Sequence, residues 1–303
     1  MTRTMTTAVV TDYGTPGVLE IREVPVPRPR PGEALVAAVA STVNPVDVKT
    51  RTPGTVQTIP RFPATLGWDL AGIVVDAPAD SPVSVGDRVI AMHPPEADGT
   101  GCWSQYITVP VERLVTAPAS VDLVTAATLP LAGLTAAQAL GRLALQPCER
   151  LLVTGASGSV GGIAVQLAAM QGLDVSGLVR RESTAETVRA LGAHEVFTDM
   201  DAAGAFDAVF DTAGVLVPAL VRPGGRLVTV SDDDIPDELA VKASSAVHNY
   251  VGHDPAGLAR LVSLVDSGAL ILRVAETFPL SRVADAHHAL EAGGLDGKVV
   301  VTM

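Results

Sequence analysis

The chain has 303 residues, 48% of them hydrophobic and 18% charged, with a formal net charge of −12 at pH 7. That length and apolar content favour two domains with sizeable cores, and the acidic balance argues against an extended nucleic-acid surface. The two cysteines, Cys102 and Cys148, are far apart, which fits a reducing compartment and provides no thiolate metal cage. MTRTMTTAVV carries no secretion signal and no apolar run approaches about 18 residues, so the expected location is cytoplasmic.

Short strand-like runs fill the first 115 residues: TTAVVTD, VLEIREVPV, EALVAAVAST, DLAGIVVDA, DRVIAM and QYITVP. The turn signals PRPRPGE, RTPG and VGD separate them, so this half reads as a mostly antiparallel β domain. Pro25, Pro27, Pro29 and Pro31 belong to a surface connection rather than a central strand. From about residue 123 the pattern changes. LVTAATLPLAGLTAAQALGRLA reads as helix, and strand and helix candidates then alternate: RLLVTG, GGIAVQLAAMQG, DVSGLVR, STAETVRALGA, EVFTD, FDAVFDT and GRLVTVS. Such alternation predicts a doubly wound parallel sheet with helices on both faces. The tail holds helix candidates GLARLVSLVDSG and SRVADAHHALEAG and a terminal strand, GKVVVTM.

The stretch LLVTGASGSVGGIAVQLA, residues 151–168, joins a strand to a helix through glycines. Unpaired N–H groups at a helix start attract an anion. Its spacing is Ala156-x-Gly158-x-x-Gly161, after Gly155 and before Gly162. Gly158 admits a close pyrophosphate, and Gly161 lets the helix pack on its strand. A plain strand-to-helix turn uses the same glycines. Where a dinucleotide site carries an acid at the end of the second strand, this chain carries Arg180 and Arg181, while Asp174 opens that strand. Guanidinium groups there fit the 2′-phosphate of NADPH. Alternatively, the two arginines cap a solvated helix start.

These features, with VNPVDVK (43–49), PATLGWDLAGIV (63–74), VGDRV (85–89), LPLAGLTAAQAL (129–140), FDAVFDTAG (206–214), RPGGRLVTVS (222–231) and GKVVVTM (297–303), resemble the medium-chain dehydrogenase/reductase superfamily. The resemblance is to its zinc-free quinone oxidoreductase and enoyl reductase branch. It implies an α/β chain: a GroES-like domain over 1–120, closed by about 256–303, and a Rossmann NADP(H)-binding domain over 121–255. It also implies a homodimer. Zinc-dependent relatives place Cys near 44 and His-Glu at 68–69, where this chain has Asn44, Trp68 and Asp69. His93, His194, His248, His253, His287 and His288 form no zinc set, and the His287-His288 pair reads as a solvated helix face.

The implied reaction is hydride transfer from NADPH to the β-carbon of an enone, quinone or enoyl ester. The same residues fit a stand-alone enoyl reductase acting on a polyketide-type intermediate, or an NADPH-binding sensor with little turnover. By resemblance Asn44 lies beside the nicotinamide as a donor. Asp47 orients neighbours or a ribose, or is a surface or capping residue. Lys49 stabilises the enolate, relays a proton, or is simply solvated. Tyr250 and His248 line the substrate pocket. Thr135, Gly155, Ala156, Gly158, Ser159, Val160, Gly161, Arg180, Arg181, Asp211 and Lys298 serve the cofactor, Lys298 alternatively sitting on an exposed strand. Only VLVPALVR separates Asp211-Thr212-Ala213-Gly214 from the PGGR turn, which cuts the crossover helix short, and the acidic SDDDIPDEL (231–239) follows.

Overall fold

A computed structural model describes residues 3–54, 59, 61–95 and 99–303. Met1 and Thr2 of the leader reading lie outside the described residues. The chain divides into two compact units, one of residues 1–131 with 253–303 and one of residues 132–252.

In the first unit, β1 (Thr4–Val10) and β2 (Leu19–Pro25) pair antiparallel as a separate ribbon. A larger sheet is built on β3 (Glu33–Val43), which leads into α1 (Pro45–Arg51). Further strands are β4 (Asp69–Asp76), β5 (Arg88–Met92), β6 (Tyr106–Pro110) and β7 (Val115–Thr116). The sequence then forms α2 (Leu123–Ala126) and α3 (Pro130–Leu143). The single helix expected over this Ala-rich stretch is therefore two. Pro130 has no N–H to continue the first helix but suits the opening turn of the second.

The second unit continues through β8 (Arg150–Thr154), α4 (Ser159–Met170), β9 (Asp174–Leu178), α5 (Ala185–Ala190), β10 (Glu195–Phe197) and α6 (Met200–Ala203). Then come β11 (Phe206–Asp211), β12 (Val221–Thr229), α7 (Asp237–Lys242) and β13 (Ser245–His248). The six strands are parallel in the order β10-β9-β8-β11-β12-β13. This is the doubly wound dinucleotide-fold order. Between β11 and β12 stands one 3-10 turn, Pro218–Leu220, as the short spacer predicts. Leu152, Phe206, Val209, Leu220 and Leu227 fill one core face of this sheet.

The chain then returns to the first unit through α8 (Pro255–Asp266), β14 (Val274–Pro279), α9 (Val283–Ala292) and β15 (Lys298–Thr302). There β15 pairs antiparallel with β3, Val299 opposite Val43. Val299, Val301, Leu280 and Val283 share a core with Ala8, Val10, Leu66 and Trp103. Chain ends about 250 residues apart thereby close one unit by burying apolar surface.

One expectation about α9 fails. His288 is exposed, but His287 is wholly buried. Its ring meets Trp103 edge-on at 5.0 Å, and its Nδ1 accepts from Arg51 Nε at 3.2 Å. Burial, then the Arg51 charge, pushes its pKa down to about 3. The helix turns about 100° per residue, so adjacent histidines fall on different faces, and one of those faces is the core. Among the described residues no helix is long and apolar enough to cross a membrane.

Candidate functional site

In the second unit the turn between β8 and α4 is shaped by its glycines. Gly155 has φ +62°, and a Cβ there would sit 2.6 Å from Thr212 Oγ1. A Cβ on Gly161 would sit 2.3 Å from the Gly155 carbonyl oxygen and 2.9 Å from the Ala156 Cα. Gly161 thus lets the helix fold down onto the turn that follows its strand. Gly158 is the N-cap and brings no side chain of its own to the helix start, and its N–H bonds the Gly155 carbonyl at 2.9 Å. The Ala156 N–H bonds Leu178 O at 3.3 Å, tying the turn to the end of β9. Helical bonding begins with Gly162 N–H to Gly158 O, 2.9 Å. The first N–H groups of a helix point outward along its axis, here from the turn that follows β8.

Arg180 and Arg181 follow β9 directly, both exposed, and neither guanidinium has a charged or hydrogen-bonding partner among the described residues. Arg181 is the N-cap of a 3-10 turn, without a side-chain capping bond. Asp174 lies at the other end of β9, near Arg150 (3.8 Å) and His194 (3.6 Å). A glycine-capped helix start beside a strand end carrying two unengaged guanidiniums suits a nicotinamide dinucleotide.

Asp211 does not fit the cofactor role expected for it. It is wholly buried at the end of β11. Its Oδ1 accepts from Thr154 Oγ1 (2.5 Å), Val215 N (2.9 Å) and Ala213 N (3.2 Å), and its Oδ2 from Thr229 Oγ1 (2.7 Å) and Gly214 N (3.2 Å). With about four acceptor sites on a carboxylate, none remains for a ligand. Asp211 ties β8, β11 and β12 to the next turn.

Thr135 is buried on α3; its carbonyl accepts from Asn249 Nδ2 at 3.4 Å, while its hydroxyl has no hydrogen-bond partner among the described residues. At the end of β13, His248 Nδ1 lies 2.9 Å from the Ser231 carbonyl. A carbonyl oxygen only accepts, so Nδ1 is the donor of this bond. The His248 and Tyr250 rings stack at 6.1 Å, and Tyr250 is 64% exposed.

In the first unit, a buried polar cluster gathers Thr42, Asn44, Asp47, Asp69 and Lys298. The β3–β15 register brings Lys298 beside Asn44, and Lys298 Nζ donates to Asn44 Oδ1. Nζ is also 3.7 Å from Asp69 Oδ2. Asn44 Nδ2 donates to Asp69 Oδ2 (3.0 Å) and Thr42 Oγ1 (3.1 Å), and Thr42 Oγ1 donates to the same carboxylate oxygen. The other oxygen, Asp69 Oδ1, accepts from Leu131 N at 2.7 Å. Asp47 accepts the Asn44 N–H at 2.8 Å and the Gly67 N–H at 3.0 Å, so both oxygens brace backbone. Gly67, at φ +96°, leaves room for Trp103, whose ring carbon would lie 2.7 Å from a Cβ there.

Burial raises the Asp47 pKa to about 7, with the neighbouring Asp69 adding to the rise; the two N–H groups and Lys298 oppose it. Burial likewise pushes Lys298 down, against the pull of Asp69 and Asp47. Two sequence alternatives are thereby corrected: Asp47 is a capping residue but not a surface one, and Lys298 does not sit on an exposed strand. Their low polar exposure follows from the central place of β3 between β15 and β4. Lys49 is half-buried on α1 and takes no part in these bonds. Sequence reasoning missed Thr42 and the use of Asp69. An acid opening the apolar run DLAGIVV was the available signal. Among the described residues no group of three or more His, Cys, Asp or Glu side chains is placed to hold a metal ion.

Comparison with known families matches residues 30–119 to the alcohol dehydrogenase GroES-like domain and residues 191–301 to the zinc-binding dehydrogenase family. The chain is 31% identical to the NADPH-dependent alkenal/one oxidoreductase, chloroplastic, of Arabidopsis thaliana, covering 97% of this chain and 78% of that protein. It is 30% identical to a 2-haloacrylate reductase of Burkholderia sp, covering 97% and 98%. Among solved structures, the quinone oxidoreductase from Coxiella burnetii superposes with a TM-score of 0.91 at 26% identity, covering 99% of this chain and all of that one.

Proposed function

The chain belongs to the medium-chain dehydrogenase/reductase superfamily, in its quinone oxidoreductase and alkenal reductase-like branch, and from that premise we propose that it is an NADPH-dependent, zinc-independent reductase of activated carbon–carbon double bonds or quinones. Its fold is α/β, a GroES-like domain with a six-stranded parallel Rossmann domain. The relatives named for NADPH, alkenals and 2-haloacrylate support this reading.

When bound, the reduced nicotinamide supplies the hydride. The N-terminus of α4 holds the pyrophosphate through backbone N–H groups, and Arg180, with Arg181, holds the 2′-phosphate. The Thr135 hydroxyl, which has no partner in its own unit, is the donor or acceptor for the carboxamide. As the β-carbon of an enone gains an electron pair, charge moves to its carbonyl oxygen. A fixed N–H donor lowers the barrier by meeting that charge. Asn44 supplies this donor. Its oxygen takes Lys298, and its Nδ2 donates to both Thr42 and Asp69; the proposed role requires these two neighbouring acceptors to share one N–H, so that the other meets the substrate oxygen. Asp47 holds the backbone on which Asn44 stands and is not itself a ribose ligand.

The observation that carries the reading is the exposed, unengaged pair Arg180 and Arg181 after β9, beside the glycine-capped start of α4. The test is oxidation of NADPH and NADH by the purified protein with a panel of enones, enoyl thioesters and 1,4-quinones. NADPH-selective turnover with one of these classes is expected. Tight NADPH binding with no turnover of any acceptor would instead favour a binding protein. A stoichiometric zinc required for activity would overturn the metal-free part.

A further inference from the structure

We propose that Lys298 is a positioning residue that sets the polarity of Asn44, making the asparagine present an N–H, and never its oxygen, to the substrate. This deepens the function proposed above and rests on it for the identity of the substrate group.

A carboxamide has two ends of similar shape and opposite chemistry, so which end faces which neighbour depends on hydrogen bonding. Here both neighbours are charged and buried. Lys298 Nζ is against Asn44 Oδ1, and Asp69 Oδ2 is 3.0 Å from Asn44 Nδ2. The flipped amide would set its NH₂ against an ammonium and its oxygen against a carboxylate. In a site where Asn44 and Asp69 are wholly buried and Lys298 nearly so, neither mismatch is relieved by water. Lys298 is in turn kept in place by the β3–β15 register and by Asp69 at 3.7 Å. The ammonium thus joins the position 44 side chain to the Asp69 carboxylate. The group recognised opposite Asn44 is consequently an acceptor: a carbonyl oxygen, or the oxyanion it becomes.

Two readouts test this. The chain has two asparagines, Asn44 and Asn249, so protein labelled with ¹⁵N at the asparagine side chains gives two amide pairs, assigned with Asn249→Ser. In the wild-type apoprotein the Asn44 pair is expected to show one downfield, exchange-protected proton and no rotation about the amide bond. Lys298→Met removes the protection and leaves the Asn249 pair in place, and Lys298→Arg restores it. An Asn44 pair that rotates freely in the wild type, or is unchanged in Lys298→Met, overturns the proposal whatever the enzyme turns over. The wild-type spectrum alone decides if Lys298→Met does not fold. In turnover, Lys298→Met is expected to lower kcat by about tenfold or more with the Kd for NADPH within about twofold, and to cost nothing further in an Asn44→Ala background. A raised Kd for NADPH with kcat kept would place Lys298 on the cofactor and overturn the positioning role. Failure of every acceptor with an ordered Asn44 pair would remove the reductase reading and keep the polarity device.

Discussion

Each unit buries a carboxylate at a strand end, Asp211 closing β11 and Asp69 opening β4, and the two are treated differently. Asp211 in the second unit meets five neutral donors, three of them backbone, and no counter-ion among its partners. The first unit holds Asp47 and Asp69 with one ammonium, Lys298, and an asparagine held between that ammonium and the Asp69 carboxylate. A saturated carboxylate is a brace: it fixes three strand ends and offers nothing outward. A cluster with a fixed cation and an amide held in one orientation stores an oriented dipole, which is what a developing oxyanion requires.

Breaking the brace is expected to have the largest effect. Asp211→Ala strands five donors at once, and leaving buried polar groups unpaired costs about 1–3 kcal/mol each before relaxation and water entry reduce the sum. The expected loss is at least about 4 kcal/mol of stability, measured by urea denaturation, with NADPH affinity falling because the neighbouring turn loosens. A variant of native stability that has lost only NADPH affinity would return Asp211 to the cofactor. Breaking the dipole has a different signature. Asn44→Ala should lower kcat by about a hundredfold, the usual worth of one oxyanion donor, with NADPH affinity largely kept. An unchanged rate would leave Asn44 as the residue that starts α1.

The same contrast explains what was readable beforehand. The β8–α4 turn and the pair Arg180-Arg181 use neighbours in sequence, so glycine spacing and strand ends reveal them. Alternation of strand and helix likewise gives the parallel sheet, because each crossover is local. The Lys298–Asn44 contact joins residues 254 apart through an antiparallel register, and no local pattern records a register. An Asp-Thr-x-Gly turn looks alike in sequence whether its carboxylate faces inward, as that of Asp211 does, or outward toward a ligand. Helical periodicity likewise separates His287 from His288 but does not say which of the two meets Trp103.

A milder perturbation tests the second unit's outward-facing chemistry. Arg180→Ala is expected to weaken NADPH about tenfold to a hundredfold, the range for one charge-assisted bond, and to leave NADH nearly unchanged. Equal weakening of both, by fluorescence titration, would remove the 2′-phosphate assignment. Arg181→Ala, at the N-cap of the 3-10 turn after β9, should give a smaller preference in the same direction.

The remaining effect, which only a change of pH brings out, concerns how the first unit tolerates its extra acid. The Asp47 pKa is raised from 3.8 to about 7 in the folded chain, chiefly by burial. Between those values the folded state holds a proton that the unfolded state has released. The stabilisation linked to that proton is therefore complete below about pH 4 and is lost as pH rises through about 7. Asp47→Asn has no proton to release. It also gives up one backbone acceptor, to Asn44 or to Gly67, at every pH. The stability of the wild type relative to Asp47→Asn should thus fall as pH rises from 4 to 7, by at most about 1.4 kcal/mol per pH unit, and level off above. Lys298 and Asp69 face the same carboxyl and remain in both proteins, so their own titrations largely cancel in the difference. Paired urea denaturations across that range measure it. A difference that stays flat, or grows with pH, would mean that the Asn44 and Gly67 N–H groups and the Lys298 ammonium outweigh burial and keep Asp47 ionised throughout.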